Sequence, residues 1–406
     1  MTGRVVVTGL GTVTSIGVGW PEFWANLLAG KSGIGRIESF DPSKYPCHNG
    51  GEVKGFDAAA YMRRLRPDSV GRASQFAVAA AWLAVDDAGL DMAALEPHRV
   101  GVAVGTTSGE PNLIEKFNDS FVAGRMDDVG AEFLGQYPCH VIAGHVAEEL
   151  RLGGVNITIP CACAAGNYAV SHAFDALRAG RADVMLAGGS DAFSRITYTG
   201  FSRLGAVAPE KVQPFDKNRK GMIPGEGAAM LVLEPMERAM KRGATIYAEV
   251  ASYGISCDAH HMTAAHPEGD GAARAMTMAL REAGLGPGDV SYISAHGTGT
   301  PTNERLETIA VKRVFGDGSN AVPISSVKSM LGHTMGAASA IESAVCSLAV
   351  YKDRIPPTIN FQEPDPECDL DCVPNFSREA RVIVAMNNAY AFGGNNSTVL
   401  LKKFAA

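Results

Sequence analysis

Two successive runs of strand and helix dominate this chain, and each closes on a glycine turn that feeds a buried strand. Gly225-Glu226-Gly227 leads into Ala228–Leu233, and Gly393-Gly394-Asn395-Asn396 leads into Thr398–Lys402. In the first run, strands are predicted at Arg4–Thr8, Val100–Val104, Asn156–Ile159, Asp183–Ala187 and Ala228–Leu233. Helices are predicted at Pro21–Ala29, Ala73–Ala88, Val141–Leu150 and Tyr168–Arg178. In the second, strands at Tyr247–Gly254, Val290–Ala295, Pro323–Ser326, Val382–Met386 and Thr398–Lys402 alternate with helices at Gly271–Ala283, Arg305–Val314 and Ala338–Tyr351. Strands separated by helices of this length specify an α/β class with largely parallel sheets. The likeness of the two closing segments predicts a duplication into halves 1–240 and 241–406, meeting near Glu237–Gly243. Two unrelated buried strands would leave the same faint trace.

Composition narrows the function. The chain has 406 residues, 46% hydrophobic and 19% charged, enough apolar surface for substantial cores. A net charge of −7 argues against general nucleic-acid binding. Eight cysteines without a dense spacing pattern suggest free thiols and a reducing compartment. The first residues run straight into a strand pattern with no apolar leader, and no window is long enough to span a bilayer. The expectation is a soluble cytoplasmic protein that works without a membrane or nucleic acid.

Four stretches carry chemistry. In Ile157-Thr158-Ile159-Pro160-Cys161-Ala162-Cys163-Ala164-Ala165-Gly166-Asn167 a strand ends at a sharp turn, a thiol follows, and a helix begins. Free N–H groups and the positive end of a helix dipole lower a cysteine pKa and stabilise an oxyanion, so Cys163 is expected to be a reactive thiolate, although a lone free cysteine is more often a small core hydrophobe. Cys161 raises the possibility of half a zinc site, but the second pair is missing: Cys368 and Cys372 are spaced differently. No metal is expected. Ser294-Ala295-His296-Gly297-Thr298-Gly299-Thr300 displays an imidazole at a strand end, followed by hydroxyls able to bond a polar ligand chain. Lys328 and His333 lie in the turn before the Ala-rich helix at Ala338, although a surface lysine and a capping histidine would read the same way. Phe392-Gly393-Gly394 is a loop that can move and whose N–H groups can approach a ligand, or an ordinary glycine turn. One cysteine and two histidines at separate strand ends suit thiolate acyl transfer.

In this order the four stretches, with Pro214-Phe215-Asp216, Arg219 and Gly225-Glu226-Gly227, resemble the β-ketoacyl synthases of fatty-acid and polyketide assembly, specifically the elongating, acyl-carrier-protein-dependent kind. The resemblance implies a thiolase-like fold, two α/β halves stacked in an αβαβα arrangement. It implies an acyltransferase in which Cys163 takes an acyl chain, and His296 and His333 bind a malonyl thioester and assist loss of CO₂. Lys328 would orient the site, with Glu307 beside it. The N–H groups of Cys163 and Phe392 would form the oxyanion hole, with Phe392, Gly393 and Gly394 as the gate. Thr298 and Thr300 would hold the phosphopantetheine arm of an acyl carrier protein, so no separate cofactor is needed. Arg63, Arg64 and Arg66, with Arg72 nearby, would dock the acidic carrier, unless they are an ordinary solvated helix end.

Cys161, Tyr390-Ala391, Asn303-Glu304 and Met222-Ile223-Pro224 depart from the common pattern and suggest a specialised type II polyketide ketosynthase. Such a chain forms a homodimer, or a heterodimer with a chain-length-factor homologue that lacks the cysteine. Members pair through the strand at Asn156–Ile159. Two alternatives remain open: a non-catalytic partner subunit, which retention of Cys163 opposes, and a degradative thiolase-like acyltransferase. The latter would carry a second cysteine in the late glycine loop.

Overall fold

Residues 3–405 are described by a computed structural model. Its main strands are β1 (Val5–Thr14), β2 (Val100–Gly105), β3 (Asn156–Ile159), β4 (Val184–Asp191), β5 (Gly227–Pro235), β6 (Ala248–Cys257), β7 (Tyr292–Ser294), β8 (Ile324–Ser325), β9 (Val384–Ala391) and β10 (Asn395–Lys402). Its main helices are α1 (Trp20–Leu28), α2 (Arg72–Asp87), α3 (Pro111–Val122), α4 (Val141–Leu150), α5 (Ala165–Arg178), α6 (Arg195–Arg203), α7 (Asp270–Ala283), α8 (Asn303–Phe315) and α9 (Ala338–Lys352).

The first five strands lie in the order β3-β2-β4-β5-β1 and the last five in the order β8-β7-β9-β10-β6. Counted within each set, both orders are 3-2-4-5-1. The sets join where Val5–Val7 pairs antiparallel with Ala248–Val250. In each set the second strand pairs parallel with the third and fourth, while the fifth runs antiparallel to both its neighbours. The sheet is therefore mixed rather than largely parallel. In the second set the reason is local, since the short Phe392–Gly394 turn permits only an antiparallel hairpin.

Alternation along β5 shows how the layers are built. Ala229, Leu231 and Leu233 face a central core, whereas Ala228, Met230 and Val232 face an outer one. Helices α2 and α4 cover the outer face of the first set, with Phe76, Ala80, Val104 and Ile142 between. Helices α7 and α8 cover the second set through Met276, Leu280 and Val311. Helices α5 and α9 lie between the two sets, packed against strands of both. Five layers result, and α9 is buried from Ala338 to Val350.

Two differences from the sequence pattern have clear causes. β1 continues past Thr8 to Thr14 because Gly9 and Gly11 do not end the strand; they admit α2 against it. A Cβ at Gly11 would stand 1.9 Å from the Ala80 carbonyl oxygen, and one at Gly9 2.2 Å from that of Ala84. Residues 110–140, for which the pattern predicts no element, contain α3, whose Pro111 sits in the first turn. Among the described residues, no helix is long and apolar enough to cross a membrane.

Candidate active site

The site forms where strand ends from both halves meet above the central helices. Cys163 follows β3 on a short 3₁₀ turn, Ala162–Ala164, that runs directly into α5. His296 lies two residues beyond β7, and His333 lies in the turn ahead of α9. One reactive atom of each, the Cys163 Sγ and a ring nitrogen of each histidine, falls within 4.8 Å of the others, and all three residues are buried. The imidazoles cross edge to face, with centroids 5.6 Å apart. Cys161 stands outside this group and is half-buried.

The two rings differ in what holds them. The Met335 N–H donates to His333 Nδ1 at 3.2 Å. In the neutral ring the proton therefore resides on Nε2. His296 Nδ1 is buried with no hydrogen-bond partner among the described residues. Burial holds both imidazoles well below their ordinary pKa, and the Lys328 ammonium pushes both further down. Both rings are neutral at pH 7, so His333 presents an N–H and His296 retains a lone pair.

The expected low-pKa thiolate is not found. Burial pushes the Cys163 thiol up to about 12, and Lys328 offsets this only in part. Desolvation of the buried sulfur is the largest cause, so the thiol is neutral at pH 7. The Lys328 charge acts on Glu307, as anticipated, but its ion pair is with a second acid. Its ammonium pairs with Glu342 on α9, and both side chains are only 2% exposed. Glu307 instead accepts the backbone N–H groups of His296 at 2.8 Å and Gly297 at 2.9 Å, fixing the loop that carries the imidazole.

These residues open onto a cavity of about 220 Å³, lined by Cys163, His296, His333, Thr298, Thr300 and Phe392 among others. Phe392 is 39% exposed at its edge and lies 5.8 Å from the ring of Phe201. The Gly393 N–H donates to the Met262 carbonyl at 2.7 Å, and the Gly394 carbonyl accepts from Asp258 N–H at 2.9 Å, so the Phe392 turn is tied to the 258–265 loop. Asp258 and Thr263–Ala265 of that loop line the cavity, whereas His260 and His261 are exposed. The Thr298 and Thr300 hydroxyls lie 3.0 Å apart on the cavity wall.

The arginine cluster lies on the outer side of the first half. Arg63 covers the Trp82 ring at 3.8 Å and pairs with Asp86. Arg66 pairs with Asp68, and Arg64 is exposed. Arg72 is not part of this surface, because its guanidinium is bound by Glu226.

Sequence reasoning missed several residues of the site. Glu342 was legible in principle, since a single acid on a helix with no exposed face up to Val350 calls for a buried cation. Tyr390 stood out only as a departure from the family pattern; its ring lies 5.7 Å from His296, and it lines the cavity with its hydroxyl buried and without a hydrogen-bond partner among the described residues. Phe201 and Asp258 carried no signal of their own.

Residues 2–239 match the N-terminal domain family of the beta-ketoacyl synthases, and residues 247–362 match the C-terminal domain. The chain belongs to the beta-ketoacyl synthase family. It is 40% identical to a 3-oxoacyl-[acyl-carrier-protein] synthase 2 of Synechocystis, covering 99% of this chain and 98% of the relative. Identity to the Coxiella burnetii enzyme of that name is 41%, covering 98% of each. Among solved structures, the ishigamide ketosynthase/chain length factor superposes with a TM-score of 0.96 at 43% identity over the full length of both chains. A type II polyketide ketosynthase, solved with its acyl carrier protein and bound to the hexaketide, gives 0.92 at 35% identity, again over both full lengths. The thiolase-like layering expected from the resemblance is the fold of this chain.

Proposed function

We propose that this chain is an elongating ketosynthase that joins an acyl group, held as a thioester on Cys163, to a malonyl unit on an acyl carrier protein with release of CO₂. The convergence of one thiol and two neutral imidazoles in a single cavity carries this reading. The thiol attacks the incoming acyl thioester. The His296 lone pair takes the thiol proton as the C–S bond forms and returns it to the departing carrier thiol. The N–H groups of Cys163 and Phe392, each in a short 3₁₀ turn at the cavity, receive the oxyanion.

The malonyl thioester then places its carbonyl oxygen against His333 Nε2–H. Hydrogen bonding there stabilises the enolate that forms as the carboxylate leaves as CO₂. A protonated ring would be the stronger donor, but in this buried site it would need a counter-charge that Lys328 denies it. The enolate carbon attacks the acyl-Cys163 carbonyl, the C–S bond breaks, and the thiolate takes one proton from water to reset the neutral thiol. No cofactor takes part. Thr298 and Thr300 hold the phosphopantetheine arm, the Phe392–Gly394 turn gates the acyl pocket, and Arg63, Arg64 and Arg66 meet the acidic carrier.

The polyketide setting is supported by the closeness to the two ketosynthase structures, one named with a chain length factor and one solved with its carrier. A pairing of this chain with itself or with a cysteine-less homologue uses β3, which lies at the edge of its sheet with an unpaired side. The division into halves 1–240 and 241–406 accompanies the repeated strand order. A cytoplasmic location suits eight cysteines that are all free.

The test is mass spectrometry of products after acyl-carrier and malonyl-carrier are mixed with the protein. A two-carbon-longer 3-oxoacyl-carrier is expected from the parent and none from Cys163→Ala. Product from Cys163→Ala overturns the assignment of the nucleophile.

A further inference from the structure

Beyond the residues that face the cavity, one buried carboxylate binds the two halves of the site together. Asp191, the last residue of β4, is fully buried and accepts four hydrogen bonds. Its Oδ1 accepts from the Thr106 hydroxyl at 3.0 Å and the Ser108 N–H at 2.9 Å. Its Oδ2 accepts from the Thr107 N–H at 2.8 Å and the Gly336 N–H at 2.7 Å. The first three donors belong to the loop after β2 in the N-terminal half. The fourth belongs to the C-terminal turn that carries His333.

That turn leaves little freedom. Gly336 is pressed against the 106–107 backbone so closely that a Cβ there would stand 2.5 Å from the Thr106 carbonyl carbon and 2.7 Å from Asp191 Oδ2. The preceding residue, Met335, is held at φ +53, a left-handed conformation that a side chain disfavours. It is the Met335 N–H that donates to His333 Nδ1. Two successive N–H groups are therefore committed: one to Asp191, which pins the turn, and one to His333, which sets the position of its ring proton.

We infer that Asp191 is a positioning residue that fixes the Nε2–H tautomer of His333 by clamping the Met335–Gly336 turn across the junction of the two halves. The inference rests on the role of His333 proposed above, but the tautomer itself can be observed without activity. Without the clamp, Met335 relaxes towards negative φ, its N–H leaves Nδ1, and the neutral ring is free to carry its proton on either nitrogen. The Nδ1–H form presents a lone pair, not a donor, to the malonyl carbonyl.

The experiment uses the full chain labelled with ¹⁵N-histidine, with His333 assigned by its absence in His333→Gln. The parent is expected to show His333 as the Nε2–H tautomer, and Asp191→Asn to show a share of Nδ1–H. In the same variant, decarboxylation of malonyl-carrier relative to acylation of Cys163 is expected to fall about tenfold or more, as when a hydrogen-bond donor to the reacting group is lost. A purely structural role would lower both rates together. An unchanged tautomer, a parallel fall of both rates, or a changed tautomer with an unchanged ratio overturns the inference. Gly336→Ala attacks the same joint from the other side and serves if Asp191→Asn does not fold. Its expected and refuting outcomes are the same. If the parent shows the Nε2–H tautomer but no decarboxylation, the functional reading fails while the clamp stands.

Discussion

Replacing Lys328 with methionine keeps the bulk of the side chain and removes its charge, leaving the buried Glu342 without its counter-charge. Breaking a buried pair from one side costs about 3–5 kcal/mol when the remaining charge must stay ionised. Glu342 has an escape, because it can protonate. Its carboxyl is already pushed up to about 7 by burial, with Lys328 the main force holding it down. Without the lysine it titrates higher still.

In the unfolded chain the carboxyl titrates near its ordinary value of 4.5, so the native state binds the extra proton. A group raised in the folded state makes stability fall as pH rises, up to the folded pKa. In the parent that fall ends near pH 7; in Lys328→Met it continues. Over the 1.5 units from pH 7 to 8.5, at 1.36 kcal/mol per unit, the variant should lose more than the parent, by up to about 2 kcal/mol. Urea unfolding at pH 6, 7 and 8.5 measures it, with an unchanged m-value as the check that the same transition is compared. The double variant Lys328→Met/Glu342→Gln should remove the pH dependence. A penalty equal at pH 6 and 8.5, or a double variant with the same pH slope as the single, would refute the argument.

The buried thiol gives a second test. Alkylation of Cys163 by iodoacetamide in the unliganded protein should quicken about tenfold per pH unit from 7 to 10, because the thiolate is the minor form throughout; a plateau below pH 9 would show a thiolate already formed. Malonyl-carrier decarboxylation should be flat from pH 6.5 to 8, since both imidazoles stay neutral there. A sigmoid centred near 6.5 would contradict this. Both rings bind fewer protons folded than unfolded, so these histidines should also make the native state less stable as pH falls below about 6.5. Finally, the donors of Cys163, His296 and His333 lie close enough together to hold a metal ion, which the proposed condensation does not need. Dialysis against a chelator should leave condensation unchanged, and loss restored by zinc would reassign the site.

Much of this protein was readable from its sequence. Strand and helix periods placed most elements, because residues buried on a sheet or helix face must recur at fixed spacing whatever surrounds them. Cys163, His296, Lys328 and His333 stood out because reactive side chains lay among small residues at strand ends. Their convergence was only inferable, since distance between strand ends depends on how two halves stack.

What tertiary structure alone decided is electrostatic and steric. The sign of the Cys163 shift turned on enclosure by both halves, because desolvation depends on everything around the sulfur and helix position contributes only one term. Which acid pairs directly with Lys328 turned on what the packing of α9 brought to it: Glu342 makes the ion pair, and Glu307 feels the charge without one. Gly9 and Gly11 read locally as a strand end but serve the approach of α2, a contact 70 residues away in the chain. Asp191 looks like an ordinary strand-terminal acid until the fold brings Thr107 and Gly336 to it from opposite halves. Local pattern determines which chemistry the chain can display; burial and proximity, which are properties of the whole fold, determine its charge state and aim.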